Sequence, residues 1–156
     1  MMNETDMTND PEINIAAVRV LNRVLRVLCR SLPMYLEEAR PWSAGDGQQI
    51  FAALANLRAD HRSLAQRVAQ TIVACGGSPD AGAFPTRFAA FNDVSLEYLL
   101  REIIERLQSD IEFLQRELSS GPMAPEARIL TDEVLGNLQG HQELLESLAA
   151  EMRRWP

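Results

Sequence analysis

Four long segments of this chain carry apolar residues at intervals that alternate between three and four. Residues at this spacing share one face of an α-helix, so each segment predicts a helix with one buried face. The only two histidines, His61 and His141, lie within two of these apolar stripes. The second stripe contains Ile50, Leu54, Leu57, His61, Leu64, Val68 and Ile72, and the fourth contains Val134, Leu138, His141, Leu145 and Leu148. We therefore expect both imidazoles to face a helical core.

Breaks in the periodicity set the boundaries of the predicted helices. Pro33 lies inside the first pattern, where the missing backbone donor predicts a kink. Four helices of similar length, each with one apolar stripe, predict an all-α four-helix bundle. The predicted ranges are Asn14 to about Ala39, Gln48 to Cys75, a helix that follows Asp93 and ends near Ser119, and Pro125 to Arg153.

The connection between the second and third helices determines the predicted topology. It covers residues 76–93 and, when extended, can span up to roughly 59 Å. A helix of this chain is only about 40 Å long, so the connection can carry the chain from one end of the bundle to the other. The prediction is two antiparallel hairpins joined by a long crossover, which Phe84, Phe88 and Phe91 hold against the bundle.

Length and composition predict one domain at residues 13–156, preceded by a flexible polar tail at residues 1–12. Hydrophobic residues make up 46% of the chain, but no apolar run approaches the roughly 18 residues that a membrane span needs. The acidic N-terminus has no apolar core that would suit a secretion signal. Cys29 and Cys75 are isolated in sequence, which predicts free thiols and a cytoplasmic location.

Charge excludes several classes of function. The net charge is −7, and all 15 basic residues are arginines, so we expect no nucleic-acid partner. Without lysine the chain cannot form a Schiff base or a Walker A loop. The arginine row of the first helix and the acidic face of the third (Glu97, Glu105, Glu112) are complementary, and we expect them to pair within the bundle or across a dimer interface.

Three short segments resemble the ferritin-like superfamily, which includes bacterioferritins, rubrerythrin-type proteins and mini-ferritins. They are Leu21-Asn22-Arg23-Val24-Leu25, Gly76-Gly77-Ser78-Pro79 and Gly140-His141-Gln142-Glu143-Leu144-Leu145. The resemblance covers roughly residues 15–152. It implies a di-iron centre with one glutamate from each of the first and third helices, and a glutamate-x-x-histidine pair from each of the other two.

The chain departs from that ligand pattern. Carried over by register, the ligand positions fall on Leu28, on His61 and Leu64, on Leu107, and on Leu138 and His141. Only His141 is of the expected type, and the mini-ferritin pattern, for which His61 and Asp60 are the nearest candidates, is not met either. The prediction is a non-enzymatic bundle without a cofactor that assembles, first of all as a dimer, or binds a protein partner.

Two other interpretations remain open. Two imidazoles and a carboxylate can hold zinc or Fe(II), so His61, His141 and Asp110 define an alternative metal site of an iron-handling oxidase. Against this, both histidines can be neutral core residues bonded to each other or to a neighbouring group. A helical partner-binding module would instead expose an apolar patch, for which Trp42 and Trp155 are the candidates.

Overall fold

The computed structural model describes residues 11–38, 41 and 47–153, and this part of the chain is all-α, without a β-strand. Trp42, Trp155 and residues 1–10 lie outside the described residues. The α-helices are α1 (Pro11–Cys29), α2 (Leu32–Tyr35), α3 (Gln48–Ala74), α4 (Leu96–Ser119) and α5 (Pro125–Arg153). Two 3-10 helices cover Leu36–Glu38 and Thr86–Phe91. The prediction of an all-α protein is confirmed.

The first predicted helix is broken rather than kinked. Helix α1 begins at Pro11, three residues before the predicted Asn14, and ends at Cys29. Ser31 then takes an extended conformation, with φ −72° and ψ 160°, and caps the short helix α2. Pro33 lies in the first turn of α2, where a residue without an N–H is tolerated because that group has no helical acceptor.

The other long helices match their predicted ranges closely. Helix α3 ends one residue early, at Ala74, and Gly76 follows with φ +84°, a left-handed conformation that glycine adopts without strain. Helix α4 begins at Leu96 because the Ser95 hydroxyl accepts a hydrogen bond from the Tyr98 N–H at 3.2 Å.

The apolar stripes form one core. All seven stripe residues of α3 are buried, including His61, and so are Leu28 of α1, Leu107 of α4 and Leu138 of α5. Helix α1 packs mainly on α3, α4 packs on α5, and α3 also packs on α5. Helices α1 and α4 touch much less, so the bundle is least closely packed between them.

The connection between α3 and α4 lies along α1. The Asn22 side chain donates to the Ser78 carbonyl at 3.2 Å and accepts from the Asp80 N–H at 2.8 Å. Further along, Arg30 Nε donates to the Gly82 carbonyl at 2.8 Å. One amide of α1 and the guanidinium of Arg30, the residue that follows α1, therefore hold the first half of the connection.

Aromatic side chains hold its second half. Phe88 and Phe91 are buried, and the rings of Phe84 and Phe88 lie 5.4 and 5.7 Å from the ring of Tyr35, measured between centroids. The prediction that the phenylalanines pack the connection against the helices is confirmed.

No helix in the described ranges is long and apolar enough to cross a membrane. Cys29 and Cys75 are both free and half-buried, and burial raises the pKa of each thiol.

Candidate functional site

His61 is a fully buried imidazole on the inner face of α3. Its exposed fraction is 0%, and neither ring nitrogen has a hydrogen-bond partner among the described residues. The Leu28 carbonyl lies near the ring and makes the smallest contribution to its pKa, in the raising direction, but it does not meet the geometry of a hydrogen bond. Burial, and then the neighbouring His141, lower the pKa of His61 to about 4. His61 is therefore neutral at physiological pH.

His141 lies at the rim of the core and not inside it, which corrects the sequence prediction. Its Nε2 atom is 2.7 Å from Asp60 Oδ2, and its side chain is 12% exposed. Asn137 donates to the same carboxylate oxygen at 3.0 Å. The hydrogen bond from Asn137 is the main cause of a lowered pKa at Asp60. Asp60 and His141 thus form a polar pair that closes α3 against α5.

The two histidines face each other at the edge of the core. Their ring centroids are 6.4 Å apart, and the ring planes are nearly perpendicular. The hydrogen bond of His141 goes to Asp60 and not to His61. The geometry is that of an edge-to-face contact next to a hydrogen-bonded histidine–carboxylate pair.

Leucines fill four of the six positions where the family resemblance would place the ligands of a di-iron centre. Leu28, Leu64, Leu107 and Leu138 are all buried in the same core. Their side chains have no atom that can bind a metal ion. Among the described residues, no three histidine, cysteine, aspartate or glutamate side chains form a group that could hold one.

Asp110 does not join the histidines. It lines a cleft between α1, α4 and the connection, and the described walls of this cleft include neither His61 nor His141. Burial raises the pKa of Asp110 to about 7, and the nearby Arg106 opposes this. Near neutral pH this carboxyl group is therefore partly protonated and can donate a hydrogen bond.

The cleft is the second candidate site, and its walls are rich in arginine. Its volume is about 500 Å³, and the five guanidinium-bearing residues on it are Arg23, Arg26, Arg30, Arg87 and Arg106. Arg23 and Arg26 come from α1, Arg30 directly follows α1, Arg87 comes from the connection and Arg106 from α4. The cleft occupies the seam where α1 and α4 pack least closely.

The sequence predicts the arginine row on the first helix, but it does not predict this cleft. The predicted pairing with Glu97, Glu105 and Glu112 does not describe Arg23, which pairs with Glu117 at 2.7 Å. Arg87 and Arg106 come from segments far from α1 in sequence. No helical period could bring them together with α1, since their proximity depends on the path of the connection.

A comparison of the chain with family models, with curated proteins and with solved structures finds no match in any of the three.

Proposed function

We propose that this protein is a ferritin-like four-helix bundle that acts by assembly or binding and not by catalysis. The observation that carries the proposal is the burial of Leu28, Leu64, Leu107 and Leu138 at three positions where the family resemblance would place glutamates and one, Leu64, where it would place a histidine. Iron oxidation needs ligands that hold the metal through both oxidation states, and aliphatic side chains supply none. The interior that remains is a packed core.

The path of the connection supports the ferritin-like topology. It leaves α3 beside the first part of α1, because Gly77 lies against Val18, and it follows α1 through Asn22 and Arg30. It ends where Leu96 lies against Gly47, at the start of α3. The connection therefore travels the length of α3, as the crossover between two hairpins must.

Exposed apolar residues at one end of the bundle support assembly. Ile15, Val73 and Ile129 have exposed fractions of 61%, 61% and 67%. They belong to the start of α1, the end of α3 and the start of α5, which meet at one end: Gly77 contacts Val18, and the charge of Glu126 acts on Cys75. An apolar surface is self-complementary, so we propose that a second copy covers it in a two-fold dimer.

The proposal is tested by measuring Fe(II) oxidation. Purified protein is mixed with Fe(II) in air, and the ferric absorbance is followed against a buffer blank and against an active bacterioferritin. We expect the rate of the blank. Saturable oxidation that is lost in both His61→Ala and His141→Ala would contradict the non-enzymatic function.

The competing function is a mononuclear metal site at the two histidines. It is favoured by one observation: within the described part of the chain, neither ring nitrogen of His61 has a hydrogen-bond partner, while the ring contacts that of His141. Co(II) is a suitable probe because its visible absorption reports the number and kind of its ligands. A tetrahedral Co(II) spectrum that disappears in His61→Ala and persists in Asp110→Asn would favour an imidazole site without Asp110.

A further inference from the structure

The cleft between α1, α4 and the connection collects positive charge in an acidic protein. Five of the 15 basic residues line it, although the net charge of the chain is −7. Asp110 is the only acidic residue on its walls, and burial raises its pKa to about 7. Guanidinium groups that repel one another at one site are stabilised when an anion binds between them.

Most of these guanidinium groups lack a carboxylate partner. Within the described residues, Arg26, Arg30 and Arg87 form no ion pair, and the closest carboxylate oxygen to Arg106 is that of Glu102 at 3.8 Å. Only Arg23 has a short ion pair. The cleft therefore presents several charges that the protein itself does not neutralise.

Aromatic rings and carbonyl groups hold the guanidinium groups in place. Arg106 lies over Phe88 with 5.1 Å between its Cζ and the ring centroid, and Arg30 lies over Phe84 at 4.9 Å. Arg30 also donates to the Gly82 carbonyl. Groups fixed in this way lose less side-chain entropy when they bind a ligand.

Two polar atoms of the wall are also left without a partner. Ser31 Oγ and Arg106 Nε are buried, and neither makes a hydrogen bond within the described part of the chain. Both residues line the cleft. Buried polar groups are normally satisfied, so these two atoms leave unused hydrogen-bonding capacity in the wall of the cleft.

Most of the remaining wall is apolar. Val27, Leu32, Pro33, Ile103 and Phe113 line the cleft between the arginines. Its volume of about 500 Å³ lies within the range of small-molecule sites, which are mostly apolar with a few polar groups that orient the ligand. A simple inorganic ion would leave this apolar part empty.

We propose that the cleft binds a small organic phosphate, a phosphomonoester carried by an aromatic or aliphatic body. Arginine forks recognise phosphate through paired hydrogen bonds. A phosphomonoester offers three acceptor oxygens and a charge near −2, which suits several guanidinium groups better than a single carboxylate does. The proposal gives the binding function a ligand class, but it does not depend on the missing metal ligands or on assembly.

The experiment is calorimetric titration of the full-length protein with phenyl phosphate, phenol and inorganic phosphate. We expect saturable, submillimolar binding of phenyl phosphate, and binding at least about tenfold weaker for the other two probes. Equal affinities for inorganic phosphate and phenyl phosphate would overturn the proposal that the apolar walls bind the organic part of the ligand. No saturable binding of phenyl phosphate up to about 10 mM would overturn the proposal.

Two exposed arginines from different segments test the location of the site. Arg26→Ala and Arg87→Ala each remove a charge from the cleft, and because both side chains are exposed the fold is retained. We expect each to weaken phenyl phosphate binding about tenfold, since a hydrogen bond to a charged group is lost. The matched control is Arg19→Ala, on α1 but outside the cleft, with at most about a twofold effect. Equal losses in Arg19→Ala and Arg26→Ala would overturn the proposed location, whereas the iron assay is unaffected by either result.

Discussion

Two buried titratable residues have opposite effects on the pH dependence of stability. His61 has a folded-state pKa of about 4, below its ordinary value of 6.5, and Asp110 has a folded-state pKa of about 7, above its ordinary value of 3.8. Between pH 4 and 6.5 the unfolded chain binds more protons at His61, so this residue makes stability rise with pH. In the same window the folded chain binds more protons at Asp110, so that residue makes stability fall with pH.

In the wild type, the two contributions to the pH dependence of the free energy of unfolding largely cancel. We therefore expect single substitutions to reveal each of them. Relative to wild type, the free energy of unfolding of His61→Leu should fall as pH rises from 4 to 6.5. That of Asp110→Asn should rise over the same window, with each slope at most about 1.4 kcal/mol per pH unit. Urea denaturation at several pH values measures both. Parallel profiles for the wild type and the two variants would contradict the buried environments.

His61 also allows a test at constant pH. At pH 8 the imidazole is neutral, and its two nitrogens are buried without partners. His61→Leu removes that unsatisfied polar group at similar volume, so we expect the free energy of unfolding to increase by about 1 kcal/mol. His141→Leu is the matched control: it loses the hydrogen bond to Asp60 and should lower stability by about 1 kcal/mol. A loss of stability in His61→Leu would mean that the imidazole has a partner.

The sequence assigned the two histidines the same environment, and the structure does not. Periodicity places a residue on a face of a helix, but it does not say how far that face is covered. His141 is beside the gap between α3 and α5 that Asp60 and Asn137 fill, whereas His61 faces the middle of the core. How far a residue is covered depends on how neighbouring helices pack, and the apolar pattern of one helix does not give that information.

At the scale of the elements, glycines distinguish close packing from free surface. A Cβ atom on Gly77 would lie 2.6 Å from Val18 Cγ1, at the point where the end of α3 meets α1. A Cβ atom on Gly140, within α5, would meet nothing within 4 Å. The same substitution should therefore have opposite effects at the two positions.

We expect Gly77→Ala to lower the free energy of unfolding by about 1–3 kcal/mol, because the added methyl group overpacks a close contact. Gly140→Ala should raise it by about 1 kcal/mol, because alanine is the better helix former. Thermal and chemical denaturation of both variants provide the measurement. Tolerance of alanine at position 77 would mean that α1 and α3 do not approach so closely.

Element boundaries show where local signals were sufficient. The C-terminus of α3 and the N-terminus of α5 were predictable because glycine is favoured just after a helix and proline in its first turn, as at Gly76 and Pro125. Helix α4 begins at Leu96, three residues after the predicted boundary at Asp93, because Ser95 is its N-cap. The break at Ser31 was predicted only as a kink, since Pro33 is compatible with both a kinked helix and the first turn of a new one.

At the scale of the whole molecule, the described structure combines a closed core with an open seam. The connection lies along α1, and its residues Ala83, Pro85, Arg87 and Phe88 line the seam together with residues of α1 and α4. Sequence patterns predicted the helices and the long connection, but the arginine cleft depends on three segments brought together by that path.

Assembly can be tested at the same scale. Ile129→Glu places a charge among the exposed apolar residues at one end of the bundle. We therefore expect the dissociation constant of the dimer to rise at least about tenfold. Light scattering after size exclusion gives the molar mass. Leu144→Glu is the control, since Leu144 is exposed on the same helix but beyond that end. A monomeric wild type, or equal dissociation in both variants, would contradict the proposed interface.

The most direct test of the aliphatic interior is the iron content of the protein after aerobic loading. The chain is incubated with excess Fe(II), desalted and measured by elemental analysis. With Leu28, Leu64, Leu107 and Leu138 buried at positions where the family resemblance would place iron ligands, we expect far less than one iron per chain. Retention of about two irons per chain, the stoichiometry of a di-iron centre, would contradict it.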